Sequence, residues 1–303
     1  MQSERHPADG MAVALMVLLC MTWGFNQVTI KWAADGISLV MQAAVRSGIA
    51  AVLLFIYARL RGIALFGRDG TLAAGLLAGF LFAAEFGLYN AGLKFTTASR
   101  MIVFLYLTPC LTALGLAWFI PGERLRAVQW VGIALAFGGI LTAFGEGFLA
   151  AGGRVAAAGQ STAPGDLCGI IAAFFWAATT VVIRTTRLNP AAPAKSLFYQ
   201  LAFAAVTLPF ISLILGESGF TNLTPKVIAS ITFQGVLVAF ASYLTWFWLL
   251  SKYLASRLSV FSFMTPLFGV GFGVLLLGDP VSATFIAAAL LVGAGIALVN
   301  LRG

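Results

Sequence analysis

Residues 94–109 read KFTTASRMIVFLYLTP, and residues 252–266 read KYLASRLSVFSFMTP. Each begins on a lysine, passes through Ser-Arg (Ser99-Arg100, Ser256-Arg257), crosses an apolar run and ends on Thr-Pro (Thr108-Pro109, Thr265-Pro266). Laying the second half of the chain over the first brings further pairs into the same order. Trp23 and Lys31 meet Trp176 and Arg184, Gly122-Glu123 meets Gly278-Asp279, and Gly139-Ile140 meets Gly295-Ile296. So many matches in one order point to an internal duplication.

Composition says what is duplicated. Of 303 residues 61% are apolar and only 9% charged, and the mean hydropathy is +0.99. A soluble domain carries about 25% charged residues because its surface faces water. This chain has too few charges to cover itself, so lipid must take up the remainder. A membrane-crossing helix needs roughly 20 apolar residues. Runs bounded by Gly, Pro and charge predict ten spans, at 11–30, 38–58, 71–92, 98–119, 127–146, 166–184, 195–215, 227–249, 257–277 and 281–300. The run from residue 11 continues through Ile30, which reads as a first span and not as a removable signal. The fold class expected is an all-α polytopic membrane protein. Residues 1–148 form one five-helix half, 149–164 an Ala/Gly-rich linker, and 165–303 the other half. Five is odd, so the second half must enter the membrane upside down, giving two inverted repeats with a site between them near the midplane.

The net charge of +8 comes from basic residues scattered between apolar runs, which argues against a nucleic-acid partner. Alternate loops carry twelve and five basic residues, with Arg46 left inside a span. Basic residues favour the cytoplasmic side, so both termini are expected there. Cys20, Cys110 and Cys168 lie in apolar runs and read as packing residues, and the lone His6 sits in a polar tail. Neither a metal, a cofactor nor enzymatic chemistry is indicated, and no Gly-rich phosphate loop offers ATP coupling.

Arg46 and Glu85 each lie about eight residues, or about 12 Å, inward from the outer ends of their spans. Charge at that depth costs several kcal/mol unless paired or hydrated. One reading is a structural salt bridge. The other has Glu85 binding a substrate amine or a proton while Arg46 sets its charge state. Trp23, Gln27 and Lys31 recur every four residues on one helix face, and Trp176, Thr180 and Arg184 repeat the pattern. Indoles often anchor at the interface, which suits Trp118 and Trp130, but Trp23 and Trp176 lie deeper and read as cavity lining. Asn26, Tyr89, Asn90, Tyr106, Tyr199, Gln200, Tyr243 and Trp246 are further candidates, with Tyr243 the repeat counterpart of Glu85. Pro109 and Pro266 interrupt matched spans, either as hinges or as static bends. Gly75-x3-Gly79 and Gly269-x3-Gly273 read as close helix contacts, and Asp166 and Asp279 as helix caps.

The duplication, Gly122-Glu123 before the fifth span and the Ser-Arg to Thr-Pro runs resemble the drug/metabolite transporter superfamily. Within it, the chain is most similar to the ten-span EamA-like family of duplicated five-helix domains, over residues 11–301. Asp279-Pro280, where the first half has Glu123-Arg124, departs from strict repetition. The branch it looks most like, bacterial exporters of aromatic amino acids, implies secondary transport or facilitated export of amino acids or related small amphipathic metabolites by a single chain in the bilayer. A gated channel, or an exporter of cationic drugs or other metabolites, is the alternative.

Overall fold

The computed structural model describes residues 9–67, 69–119, 126–149, 162–189, 191–253, 261 and 264–300. His6, Gly122-Glu123, Ser256-Arg257, most of the 149–164 linker, and the charges Arg5, Arg68, Arg124, Arg154 and Arg302 lie outside the described residues.

Among the described residues, ten apolar helical segments match the predicted spans. They are α1 (Gly10–Ala33), α2 (Leu39–Leu60), α3 (Leu72–Gly92), α4 (Ala98–Leu105 and Thr108–Phe119), α5 (Ala127–Leu149), α6 (Ala163–Thr185) and α7 (Pro193–Ile214). Then come α8 (Pro225–Thr232, a π-helical Phe233–Ser242, and Tyr243–Lys252), α9 (Met264–Phe272 and a π-helical Gly273–Leu277) and α10 (Ala283–Asn300). Seven are long and apolar enough to cross a membrane, while α5, α9 and α10 are shorter apolar helices. The only pairing resembling a β-sheet among the described residues is an isolated bridge between Ile37 and Phe220. Large side chains such as Leu60, Trp118, Trp130, Ile214 and Leu275 stand exposed on the outside, where a lipid-facing surface needs apolar groups. The chain is a polytopic helical membrane protein.

Packing has a pattern. α1 packs on α8 and α9, as α6 packs on α3 and α4. α2 packs on α8 as α7 packs on α3, and the pairs α2–α7, α4–α9 and α5–α10 each join helices five places apart. Glycines set the closest approaches, because lipid offers no hydrophobic drive and helices associate through contact. A Cβ on Gly75 or Gly79 would fall 2.5 Å from the Tyr199 ring or 2.6 Å from Cβ of Phe203. At the α5–α10 seam the relation is mutual: Gly139 abuts the Ala288 carbonyl, and Gly295 abuts the Gly132 carbonyl.

Thr-Pro in α4 does more than bend it. The α-helix stops at Leu105 and restarts at Thr108, so Pro109 opens a new segment where its missing N–H costs little. Proline strands the carbonyl four residues back, and here Thr108 Oγ1 donates to that Leu105 carbonyl at 2.6 Å. The break is thus internally satisfied.

Polar ties gather at the helix ends, and several differ from expectation. Asp166 is not a simple cap. Buried at the start of α6, it accepts from Arg100 Nε (3.2 Å) and Nη2 (2.7 Å), from Thr96 Oγ1 (2.6 Å) and from Thr162 Oγ1 (3.0 Å). Arg100, a loop charge by its place in the sequence, is equally buried and packs over the Phe104 and Phe285 rings. Asp279 caps α4 and not its own helix, accepting from Ser99 N (2.9 Å) and Ser99 Oγ (2.7 Å). Lys31 turns inward to the Leu93 and Thr96 carbonyls at the end of α3 instead of pointing to the membrane edge. The α1–α2 and α7–α8 connections meet through Ser38 N to the Gly219 carbonyl (2.8 Å) and Thr221 N to the Gly36 carbonyl (2.9 Å). Beside them Glu217 takes Lys94 Nζ (2.8 Å), Ser212 Oγ (2.8 Å) and Val40 N (3.1 Å).

At the opposite end Lys195 pairs with Asp69, whose carboxyl is held well below the usual range by that ammonium and by Thr71. Asp9 caps α1 through Ala12 N and receives the Tyr253 hydroxyl at 2.8 Å, and these bonds also lower its pKa.

Breaking a buried ion pair from one side leaves an uncompensated charge, which costs about 3–5 kcal/mol. Asp166→Ala should therefore lower the melting temperature of detergent-purified protein far more than Asp35→Ala, which removes only an exposed pair with Lys226. Burial opposes ionisation of Glu217, but Lys94, Ser212 and Ser38 outweigh it and hold the carboxyl below its ordinary 4.5. A lowered pKa gives stability that is complete above the ordinary value and lost as pH falls through the lowered one. Glu217→Gln should melt earlier than the parent at neutral pH, and thermal melts taken down to about pH 3 should show the two converge.

Candidate functional site

Several buried side-chain atoms have no hydrogen-bond partner among the described residues. They include Asn26 Oδ1 and Gln27 Oε1 on α1, Arg46 Nε and Nη2 and Ser47 Oγ on α2, Tyr89 OH on α3, Gln234 Oε1 on α8 and Thr265 Oγ1 on α9. A buried polar atom left unmade costs about 1–3 kcal/mol, so such atoms are rare unless something else satisfies them. The group is contributed by helices from both halves of the chain.

Arg46 is the most buried charged member, at 1% exposure. Its guanidinium lies over the Phe86 ring, 4.0 Å from the centroid, and interacts with the Tyr243 hydroxyl. Glu85 and Tyr89 stand one turn apart on α3, so they share a face. Both feel the charge of Arg46. Among the described residues, however, no ion pair within 4.0 Å joins Arg46 to Glu85. The direct salt bridge that equal depth permits is not formed; the guanidinium lies on Phe86 instead.

The two indoles stand on either side. Trp23 Nε1 donates to Ser242 Oγ at 2.8 Å, across to α8 and next to Tyr243, and its ring meets Trp246 edge-on at 6.1 Å. Trp176 meets Tyr106 edge-on, also at 6.1 Å. Tyr106 lies within electrostatic reach of Tyr89, Tyr243 and Cys20 and beside Thr265, which links the two sides. Trp23, Trp176, Tyr243 and Trp246 are half-buried, as befits groups bordering an interior space.

The remaining predicted residues have the following partners or positions. Thr180 donates to its own helix at the Trp176 carbonyl (3.1 Å), and Arg184 is exposed. Asn90 bonds the Phe86 carbonyl and Gln200 the Ser196 carbonyl, so both are spent within their helices. Tyr199 packs under Gly75 and serves the α3–α7 contact. Pro109 and Pro266 are half-buried in α4 and α9. Sequence reasoning missed Ser242, Thr265 and the buried Gln42–Gln234 bond (3.2 Å). A deep serine or glutamine in an apolar run was the available signal.

Comparison with known proteins agrees on the kind of molecule. The family model described as EamA-like transporter family matches residues 10–145 and 163–301. An uncharacterized transporter, YoaV of Bacillus subtilis, is 24% identical over 93% of this chain and 94% of its own length. A probable amino-acid metabolite efflux pump of Salmonella typhimurium is 26% identical over 93% and 92%. A solved crystal structure shares the fold with a TM-score of 0.64 at 18% identity, covering 96% of each chain. With nearly its whole length matched, the chain belongs to the EamA-like transporter family and is a transporter, not an enzyme.

Proposed function

We propose that the chain exports amino acids, aromatic ones foremost, or related small amphipathic metabolites, by alternating access through a central site between two inverted five-helix halves. The observation that carries this reading is the set of unpartnered buried polar atoms drawn from α1, α2, α3, α8 and α9, flanked by half-buried aromatic rings. Rings supply apolar contact for a side chain, and the amides, hydroxyls and charges supply partners for a polar head group. Residues 1–148 and 165–303 are the two halves, joined by 149–164. Packing that maps onto itself when each helix is replaced by the one five places on supports a two-fold relation, and an odd span number per half makes it inverted. The efflux pumps of Salmonella typhimurium and Escherichia coli with similar sequences support amino-acid metabolites as cargo. Termini on the cytoplasmic side of a bacterial inner membrane accord with the basic-residue bias.

Trp23, Asn26, Gln27, Glu85, Tyr89, Trp176, Tyr243 and Trp246 form the substrate site in this reading. Uptake and counterflow in proteoliposomes, across the amino acids and with or without a pH gradient, test it. Saturable flux is expected, largest for aromatic substrates, and unsaturable ion current would show a channel instead. An aromatic contact is worth about 0.5–1.5 kcal/mol beyond area burial. Trp23→Ala and Trp176→Ala should each raise the half-saturating concentration by about three- to tenfold. Glu85→Gln flux equal to the parent at every pH would remove a titrating role for that carboxyl.

A further inference from the structure

Two arginines among the described residues are at least nine-tenths buried, and their difference is informative. Arg100 offers Nε and Nη2, the two donors on one edge of the guanidinium, to the Asp166 carboxylate. Arg46 has the same two atoms, Nε and Nη2, buried and without a hydrogen-bond partner among the described residues. That edge is the fork that matches a carboxylate bidentately. In Arg100 the protein fills it with its own aspartate; in Arg46 it leaves the edge unfilled.

An arginine kept only for packing has no reason to bear that cost, least of all near a carboxylate. Charge at membrane depth is expensive, and Glu85 is the obvious neutralising partner. Yet Phe86 holds the guanidinium from one face, and no nitrogen of Arg46 comes within ion-pair distance of Glu85. The Glu85 carboxyl lies within electrostatic reach of Arg46 without touching it. A guanidinium fork and a separate carboxyl held apart in one low-dielectric site are complementary to a molecule that carries a carboxylate and an ammonium on adjacent atoms. Ser47 Oγ and Tyr89 OH, also unpartnered, add donors on the same two helices.

We infer that Arg46 is the anchor for the α-carboxylate of a zwitterionic α-amino acid, whose ammonium is taken by Glu85. This rests on the amino-acid reading above and sharpens it. It excludes as good substrates amines, amides and esters that lack a free carboxylate, cationic drugs among them.

The test begins with counterflow in proteoliposomes across the α-amino acids, then compares the best substrate with its amide and its decarboxylated amine as competitors. In the unmodified protein the acid should compete at least about tenfold better than either, since charge-assisted bonds lost at both donors exceed that factor. It should also raise the melting temperature in detergent where the amide does not. Arg46→Gln should weaken the acid by at least about tenfold and abolish its advantage over the amide. Arg46→Lys keeps the charge without the fork, so it should fold and fall between the two. An Arg46→Gln or Arg46→Lys protein that folds and still prefers the acid as strongly as the parent would overturn the assignment. So would equal stabilisation of the parent by acid and amide. Absence of saturable flux for every amino acid in the parent is a different failure, and it would sink the amino-acid reading itself.

Discussion

Inside a bilayer no water stands ready to satisfy a polar group, and every feature of this molecule answers to that constraint. Backbone groups must be paired within the segment, which is why the described residues form helices and one isolated bridge. Side chains obey the same rule at the helix ends. Arg100, Asp166, Lys31, Ser99, Asp279 and Glu217 reach between helices and leave little unpaired. Because apolar side chains gain nothing by leaving lipid for one another, the helices are held by shape and by these ties. The glycine pairs at the α3–α7 and α5–α10 seams bring backbones within contact distance, and the polar ties fix the ends.

Against that thrift the centre stands out. Hydroxyl, amide and guanidinium atoms from five helices are buried there with no partner among the described residues, a pattern that the ends of the same helices largely avoid. A protein that spends Asp166 on Arg100 has the means to neutralise Arg46 and does not. In the site proposed above, the ends are complete in themselves and the substrate completes the middle. A transporter needs this division. A fully satisfied centre would bind nothing, and unsatisfied ends would leak.

Much of this was legible in the sequence. Apolar runs of about twenty residues marked the spans because lipid imposes that length directly, and the glycine spacings marked real contacts. Depth was legible too: Arg46, Glu85, Trp23 and Trp176 sit well within their helices. Rotation about the helix axis was not. Equal depth allowed Arg46 and Glu85 to pair, but whether a guanidinium meets a carboxylate or a phenyl ring depends on how each helix is turned by its neighbours. Partners distant in the chain were equally hidden. Asp166 has the ordinary signature of a cap, and nothing near it announces Arg100. Thr-Pro marked an interruption, yet the rescue of the Leu105 carbonyl by Thr108 emerges only from geometry.

The two halves of the sequence are alike at some matched positions and unlike at others. Trp23 and Trp176 are counterparts, and each meets another ring edge-on at the same separation. Glu85 and Tyr243 are counterparts as well, but one is a carboxyl and the other a phenol. The backbone widens that difference. α3 is a continuous α-helix, whereas α8 runs through ten π-helical residues from Phe233 to Ser242, immediately before Tyr243. A π turn takes up an extra residue, so the residues beyond it are rotated relative to their α-helical counterparts. The sequence FQGVLVAFAS gives no hint of this, since its composition is that of any buried helix. The Tyr243 hydroxyl that follows this segment lies by Arg46, while Glu85 and Tyr89 reach the same charge from α3. In the transport proposed above, two related halves open and close by equivalent movements, but an α-amino acid has no two-fold axis. On that proposal, divergence at the centre, in residue type and in helix geometry, is what lets a paired scaffold hold an asymmetric ligand.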